Sequence, residues 1–160
     1  MADWIGGYEG AAVTDEKHAE DLARIIEARA QAVRAGQVDA IMADVADDVV
    51  TFDVVDPLRR MGTLAARSRT AAWIDSYDGP IGFEIRDLQI AVDGDVAFSH
   101  ALNRVTGTLT VGAMVDMWFR TTLGFRRIGG RWLVVHEHGS VPFNSDSLQA
   151  SLGLKPEGSV

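Results

Sequence analysis

Five polar side chains fall inside β-branched or aromatic runs, where a buried strand face should be apolar: Asp53, His100, Arg120, His136 and His138. Asp53 stands between Phe52 and Val54, and a carboxylate there is costly unless it is hydrogen-bonded. In an apolar pocket it would serve as a general base; otherwise it pairs with an arginine, for which Arg120 is the natural partner. Successive side chains on a strand point to opposite faces. Trp118, Arg120 and Thr122 therefore share one face of their strand, and Trp132, Val134, His136 and His138 share one face of the next. Arg120 between Trp118 and Thr122 would clamp a carboxylate or phosphate of a ligand, or pair with Asp53 or Glu137. His138, next to Ser140, suits a base or a hydrogen-bond donor. Ser140 lacks the elbow of a nucleophile and is followed closely by Pro142. On this alternation Glu137 faces away from the histidines, toward solvent or a dimer interface. His100 and Asn103 lie on opposite faces of their strand, so one of them looks into the body. Trp73, Trp118 and Phe119 supply core, interface or the aromatic wall of a pocket.

The His136-x-His138 pair could hold a divalent metal if Asp53 or His100 joined it. Two ligands fall short of a site, and the sequence is read without metal or cofactor. Neither Gly6-Gly7 nor Gly129-Gly130 sits in the strand–glycine–helix setting of a phosphate loop. The candidate set is thus Asp53, His138 and Arg120 for chemistry, with Trp118, His136, His100, Trp73 and Thr122 as pocket lining.

The elements that must position these groups begin with helices. Met1–Val13 is rich in small residues and is expected to form a loose arm anchored by Trp4, Ile5 and Tyr8. Thr14 is the expected N-cap of a first helix, with Asp15 and Glu16 in its first turn. Leu22, Ile25, Ile26, Ala30 and Val33 keep a helical spacing up to Gly36. Arg29 lies on the same stripe, so its stem should run along apolar surface while its head reaches water or a carboxylate. A short second helix follows Asp39, a strand spans 49–56, and Thr63 is expected to cap a third helix running to Asp75. Strands are predicted over 81–92, 96–108, 115–128 and 132–141, joined by Asp93-Gly94, a looser joint at Gly112, and Gly129-Gly130. The polar tail from Asn144, with Leu148, Leu152 and Leu154, is expected to lay a short helix across the body. Helices first and long meandering strands afterwards predict an α+β fold. Long strands twist and curl, so the sheet should be a curved antiparallel one wrapped around the N-terminal helices, a cone with a central pocket.

The 160 residues fit one domain with a proper core. A net charge of -8 argues against nucleic acid, whose phosphates need clustered Lys and Arg. The chain has no cysteine, which excludes disulfides and thiol chemistry. No apolar run approaches the ~20 residues of a membrane span, and the first residues lack the pattern of a signal peptide. A cytoplasmic protein that touches neither membrane nor nucleic acid is expected.

Four stretches carry a family resemblance: Gly36-Gln-Val-Asp39, Ala46-Asp-Asp-Val-Val-Thr-Phe-Asp53, Pro57-Leu-Arg-Arg-Met-Gly62 and Gly130-Arg-Trp-Leu-Val-Val-His-Glu-His-Gly-Ser-Val-Pro-Phe143. The chain resembles the SnoaL-like, ketosteroid-isomerase-like proteins of the nuclear-transport-factor-2 fold over about residues 16–143. That resemblance implies a cone of curved sheet and three helices, a pocket at its open end, and a homodimer made by sheet faces. It implies no single activity, since the fold hosts isomerases, cyclases, dehydratases and plain binding modules. The tyrosine that ketosteroid isomerases use as an oxyanion donor has no counterpart on a predicted strand, because the tyrosines are Tyr8 and Tyr77. A small organic ligand is the expected partner, handled by proton transfer or held in a non-catalytic ligand-binding or oligomerisation module.

Overall fold

The computed structural model describes residues 15–158; the expected arm and the Thr14 cap lie outside them. Helix α1 (Glu16–Arg34) is capped by Asp15, whose carboxylate accepts from the His18 backbone N–H at 3.2 Å. Its buried stripe is Leu22, Ile26, Ala30 and Val33, the four-and-three spacing of one helix face. Gly36, at φ 66, turns the chain out of the helix. Helix α2 (Val38–Ile41) is a single turn. Strand β1 (Val45–Phe52) follows, then the short β2 (Arg60–Met61). Helix α3 (Thr63–Asp75) starts from Gly62 and makes no side-chain cap bond, so Thr63 does not cap it. Four long strands complete the body: β3 (Gly82–Asp93), β4 (Val96–Thr108), β5 (Met114–Ile128) and β6 (Arg131–Ser140). The tail forms a small exposed hairpin of β7 (Phe143–Asn144) and β8 (Gln149–Ala150) where a helix was expected.

The main sheet has the order β2-β1-β6-β5-β4-β3. β3 to β6 form an antiparallel meander, whereas β1 pairs with β6 in parallel. The sheet is therefore mixed rather than wholly antiparallel. Helix α3 and four strands separate β1 from β6 in sequence, so no tight turn dictates their direction.

Three irregularities bend the sheet. On β6, Gly124 of β5 faces His136 while Phe125 faces Val134, which leaves Val135 as an extra residue. On β3, Arg86 faces Leu102 and Gln89 faces His100, with Asp87 at φ 55 in the bulge. On β1 the register shifts between Val45 and Val50. Each bulge increases local twist and reverses which side chains point inward beyond it.

The concave side packs on the helices. One core cluster joins Leu22 and Ile26 of α1 to Val49, Phe125, Trp132 and Val134. A second joins Val33 and Ile41 to Ile81 and Val105. No helix among the described residues is long and apolar enough to cross a membrane.

Candidate functional site

Between the helices and the concave sheet lies a cavity of about 210 Å³. Ile26, Ala30 and Val33 come from α1, Ala66 and Trp73 from α3, and Phe83, Ile85, Val105, Met117, Phe119 and Leu123 from β3 to β5. Mostly apolar walls suit an organic ligand. Eight polar or charged residues also line it: Arg29, Thr51, Asp53, Arg69, Thr70, Asn103, Thr121 and Glu137.

Two ion pairs stand in this wall. Arg29 reaches from α1 so that Nη2 donates to Glu137 Oε2 at 2.8 Å, and Nε donates to the Ile41 carbonyl at 3.3 Å. The expected snorkelling arginine is thus anchored by a carboxylate of β6. Asp53, one residue beyond β1, takes Arg60 Nη1 at 3.3 Å and Arg69 Nε at 2.7 Å on its Oδ2. The Arg69 contact is an ion pair whose N–H is poorly aimed, since Nε is buried with no hydrogen bond. Arg60 and Arg69, not Arg120, are therefore the partners of Asp53.

Deeper on the sheet, Asn103 Nδ2 donates to Thr121 Oγ1 at 2.9 Å. Asn103 is 8% exposed, and its Oδ1 is buried without a partner. An unmet buried acceptor of that kind costs about 1–3 kcal/mol. A ligand hydroxyl would meet the amide whichever way it is turned, since a hydroxyl both donates and accepts.

Of the residues singled out from sequence, Asp53 and Trp73 line this cavity. Arg120, Trp118, Thr122, His100 and His136 do not, and they lie on the other side of the sheet. On β5 the inward set is Phe119, Thr121, Leu123 and Phe125, so the alternate residues Trp118, Arg120 and Thr122 point outward. Asn103, rather than His100, is the inward member of its strand. His136 donates its Nδ1–H to the Val50 carbonyl at 2.9 Å and sits edge-on to Phe52. His138 borders an adjoining, more open depression under the 52–59 loop, whose lining also includes Asp53.

The cause on β6 is the Val135 bulge. It breaks the alternation, so Trp132 and Val134 point inward while His136 and His138 point outward. Glu137 and Gly139 turn inward instead, and the solvent or dimer-interface position expected for Glu137 is corrected. Thr51, Arg69, Thr70 and Thr121 are polar lining that sequence reasoning passed over, whereas Asn103 was one of two alternatives for its strand and Glu137 was expected on the other face. One signal was present on β5, where the odd-numbered run Phe119, Thr121, Leu123 and Phe125 is more apolar than its neighbour Trp118, Arg120, Thr122 and Gly124.

Among the described residues, no group of three His, Asp or Glu side chains is placed to hold a metal ion. What the arrangement offers is hydrogen bonding, a carboxylate beside two guanidinium groups, and an apolar enclosure.

The sequence profile of the SnoaL-like domain matches residues 22–144. The structure is similar to an NTF2-like protein of unknown function from Pseudomonas putida KT2440, at 34% identity and a TM-score of 0.81, covering 88% of this chain and 98% of that one. It also resembles a provisionally assigned dehydratase of the NTF2-like family from Streptomyces avermitilis, at 18% identity and a TM-score of 0.68, over 78% and 96% of the two chains. The association domain of C. elegans CaMKII is similar at 14% identity and a TM-score of 0.60, over 78% and 96%. No curated protein matches the sequence. By its matched profile and its Pseudomonas relative, the chain belongs to the SnoaL-like family and has the NTF2-like fold.

Proposed function

We propose that the cavity binds a small organic molecule and that Asp53 moves a proton on it, in an isomerisation, dehydration or cyclisation. The observation that carries this reading is an apolar enclosure of about 210 Å³ with a carboxylate in its wall. That volume exceeds the ~150 Å³ of a dry cavity that admits benzene and falls below the ~300 Å³ where drug-sized pockets begin. The ligand is therefore about one ring in size.

Asp53 spends Oδ2 on Arg60 and Arg69, which leaves Oδ1 as the oxygen that would take a proton from a carbon acid. The Arg69 guanidinium, also in the wall, would stabilise negative charge developing on the ligand. Native mass spectrometry of the purified protein should show a retained small molecule. Incubating that molecule with the protein in D2O should place deuterium on carbon with wild type and not with Asp53→Asn. Absence of exchange with a bound ligand would remove Asp53 from catalysis. Absence of any ligand, in that measurement and in a thermal-shift screen of one-ring compounds, would remove the binding reading.

One observation favours a second reading, a non-catalytic binding module: the Asp53 carboxylate is already engaged by two arginines. Ligand retention without deuterium exchange is its signature.

We infer in addition that two copies pair through the convex sheet face. Val96 and Phe98 of β4 are 58% and 51% exposed there. The Phe98 ring stacks on His100, and Trp118 lies beside Arg86 and Arg104. An apolar centre with arginine and aromatic neighbours has the composition of an interface core.

A further inference from the structure

A glycine inside a strand marks a bulge, a bend, or a place where another backbone or a ligand comes close. Gly139 on β6 meets none of the protein-internal reasons. Its pairing with Thr121 continues the regular β5–β6 register from Gly124 and His136 onward, well away from the Val135 bulge. Its φ lies outside the left-handed region. A Cβ built on it would find, among the described residues, Val54 Cγ1 at 3.6 Å, ordinary van der Waals contact, and nothing nearer. Other glycines of the same sheet behave differently: at Gly82 the Thr106 hydroxyl stands 2.1 Å from such a Cβ, and at Gly107 the Tyr77 ring stands at 2.7 Å. Those two are glycine because protein atoms fill the space. At Gly139 the space is left open, and it opens into the cavity.

The cross-strand row explains what that opening is for. Thr121 pairs directly with Gly139, so the two face the same side, the side that lines the cavity. On the other flank, Phe52 pairs with His138, which sets Asp53 next to Gly139. Asp53 and Thr121 thus stand one strand to either side of the bare position, about 9–10 Å apart at the usual strand spacing. Asn103, with its unmet amide oxygen, holds Thr121 from the next strand.

We propose that Gly139 is the seat of the ligand, and that the ligand is a flat, one-ring molecule carrying a hydroxyl. The ring lies against the bare β6 backbone. Its hydroxyl meets the Asn103–Thr121 pair, and its opposite edge faces Asp53. Gly139 is then a specificity-determining residue: any side chain there occupies the place of the ring. This inference rests on the cavity being a ligand site.

The test uses phenol as the probe, titrated into isotope-labelled full-length protein and followed by NMR, with Gly139→Ala and Gly139→Val compared with wild type by thermal melting. Wild type should bind phenol with shifts concentrated at Gly139, Thr121 and Asn103. Gly139→Val should weaken binding tenfold or more while its melting temperature holds or rises, because its Cβ meets only Val54 at ordinary contact distance and a β-branched residue suits a strand. If Gly139→Val fails to fold, Gly139→Ala carries the comparison, with a several-fold loss expected. Equal phenol affinity in wild type and the folded variants would overturn the seat while leaving the cavity reading intact. Wild type that shows no cavity shifts at saturating phenol would overturn both.

Discussion

Arg29 shows how a single side chain shapes the cavity wall. Its stem runs along the apolar stripe of α1, and its head is held by Glu137 and the Ile41 carbonyl. The guanidinium side chain is 14% exposed and the carboxylate 38%. Breaking a fully buried pair from one side costs about 3–5 kcal/mol; the exposure of Glu137 lets water recover part of that. Glu137→Leu should therefore lower stability by about 1–3 kcal/mol, read from urea unfolding. Adding Arg29→Leu should restore most of the loss, because the stranded charge goes with it. A double variant no more stable than Glu137→Leu would show that the pair does more than neutralise itself. At Asp53 the competition is different: two arginines share one carboxylate oxygen, so removing Asp53 leaves two like charges facing each other. The neutral amide of Asp53→Asn keeps the shape but not the charge, so its folding cost should at least equal that of Glu137→Leu.

At the scale of elements, the bulges decide the site. Deleting Val135 would join Val134 directly to His136 and reverse the inward set of β6 beyond that point. His136 and His138 would then turn toward the cavity, and Glu137 and Gly139 away from it. Such a variant should lose ligand binding and the Arg29 pair together, with a lowered melting temperature. Core truncation should behave differently: Phe125→Ala, at a position 1% exposed, should cost about 3–5 kcal/mol by the usual cavity penalty without reversing any face. The end of α3 adds a pH effect. Burial raises the Tyr77 phenol above its ordinary value near 10, outweighing the opposing hydrogen bond with Trp73 and the charge of Arg69. A raised folded-state value means that this stability is present in full below about pH 10 and lost as pH climbs through the folded value. Wild type should therefore lose stability between about pH 9 and 11 more steeply than Tyr77→Phe, as measured by urea midpoints at the two ends.

For the whole molecule, the two sheet faces differ in what they present. The concave face holds the cavity; the convex face carries Val96, Phe98, His100, Trp118 and Arg120. The polar and aromatic residues that looked like pocket lining in the sequence thus belong to the surface proposed to meet a second copy. Light scattering behind size-exclusion chromatography should give twice the chain mass for wild type and one chain mass for Phe98→Glu, with phenol binding retained in both. A wild-type monomer at micromolar concentration would remove the dimer reading and leave the cavity untouched.

The sequence by itself determined the order of the three helices and five longer strands and the curled α+β architecture, though not β2 or the tail hairpin. Those follow from local signals: apolar spacing in α1, β-branched runs, and glycine turns such as Gly129-Gly130. It also placed Arg29 on the apolar stripe and marked Asp53 as a costly carboxylate. Three matters waited for the tertiary structure. Which strand neighbours β1 is a long-range pairing that no turn specifies. Which of two adjacent valines is the extra residue on β6 depends on register against β5, since Val134 and Val135 are chemically alike. Which arginine meets Asp53 depends on how α3 and β2 pack over the end of β1. A period-two pattern carries no information across a bulge, and one extra valine therefore exchanged His136 and His138 for Glu137 and Gly139 on the cavity floor.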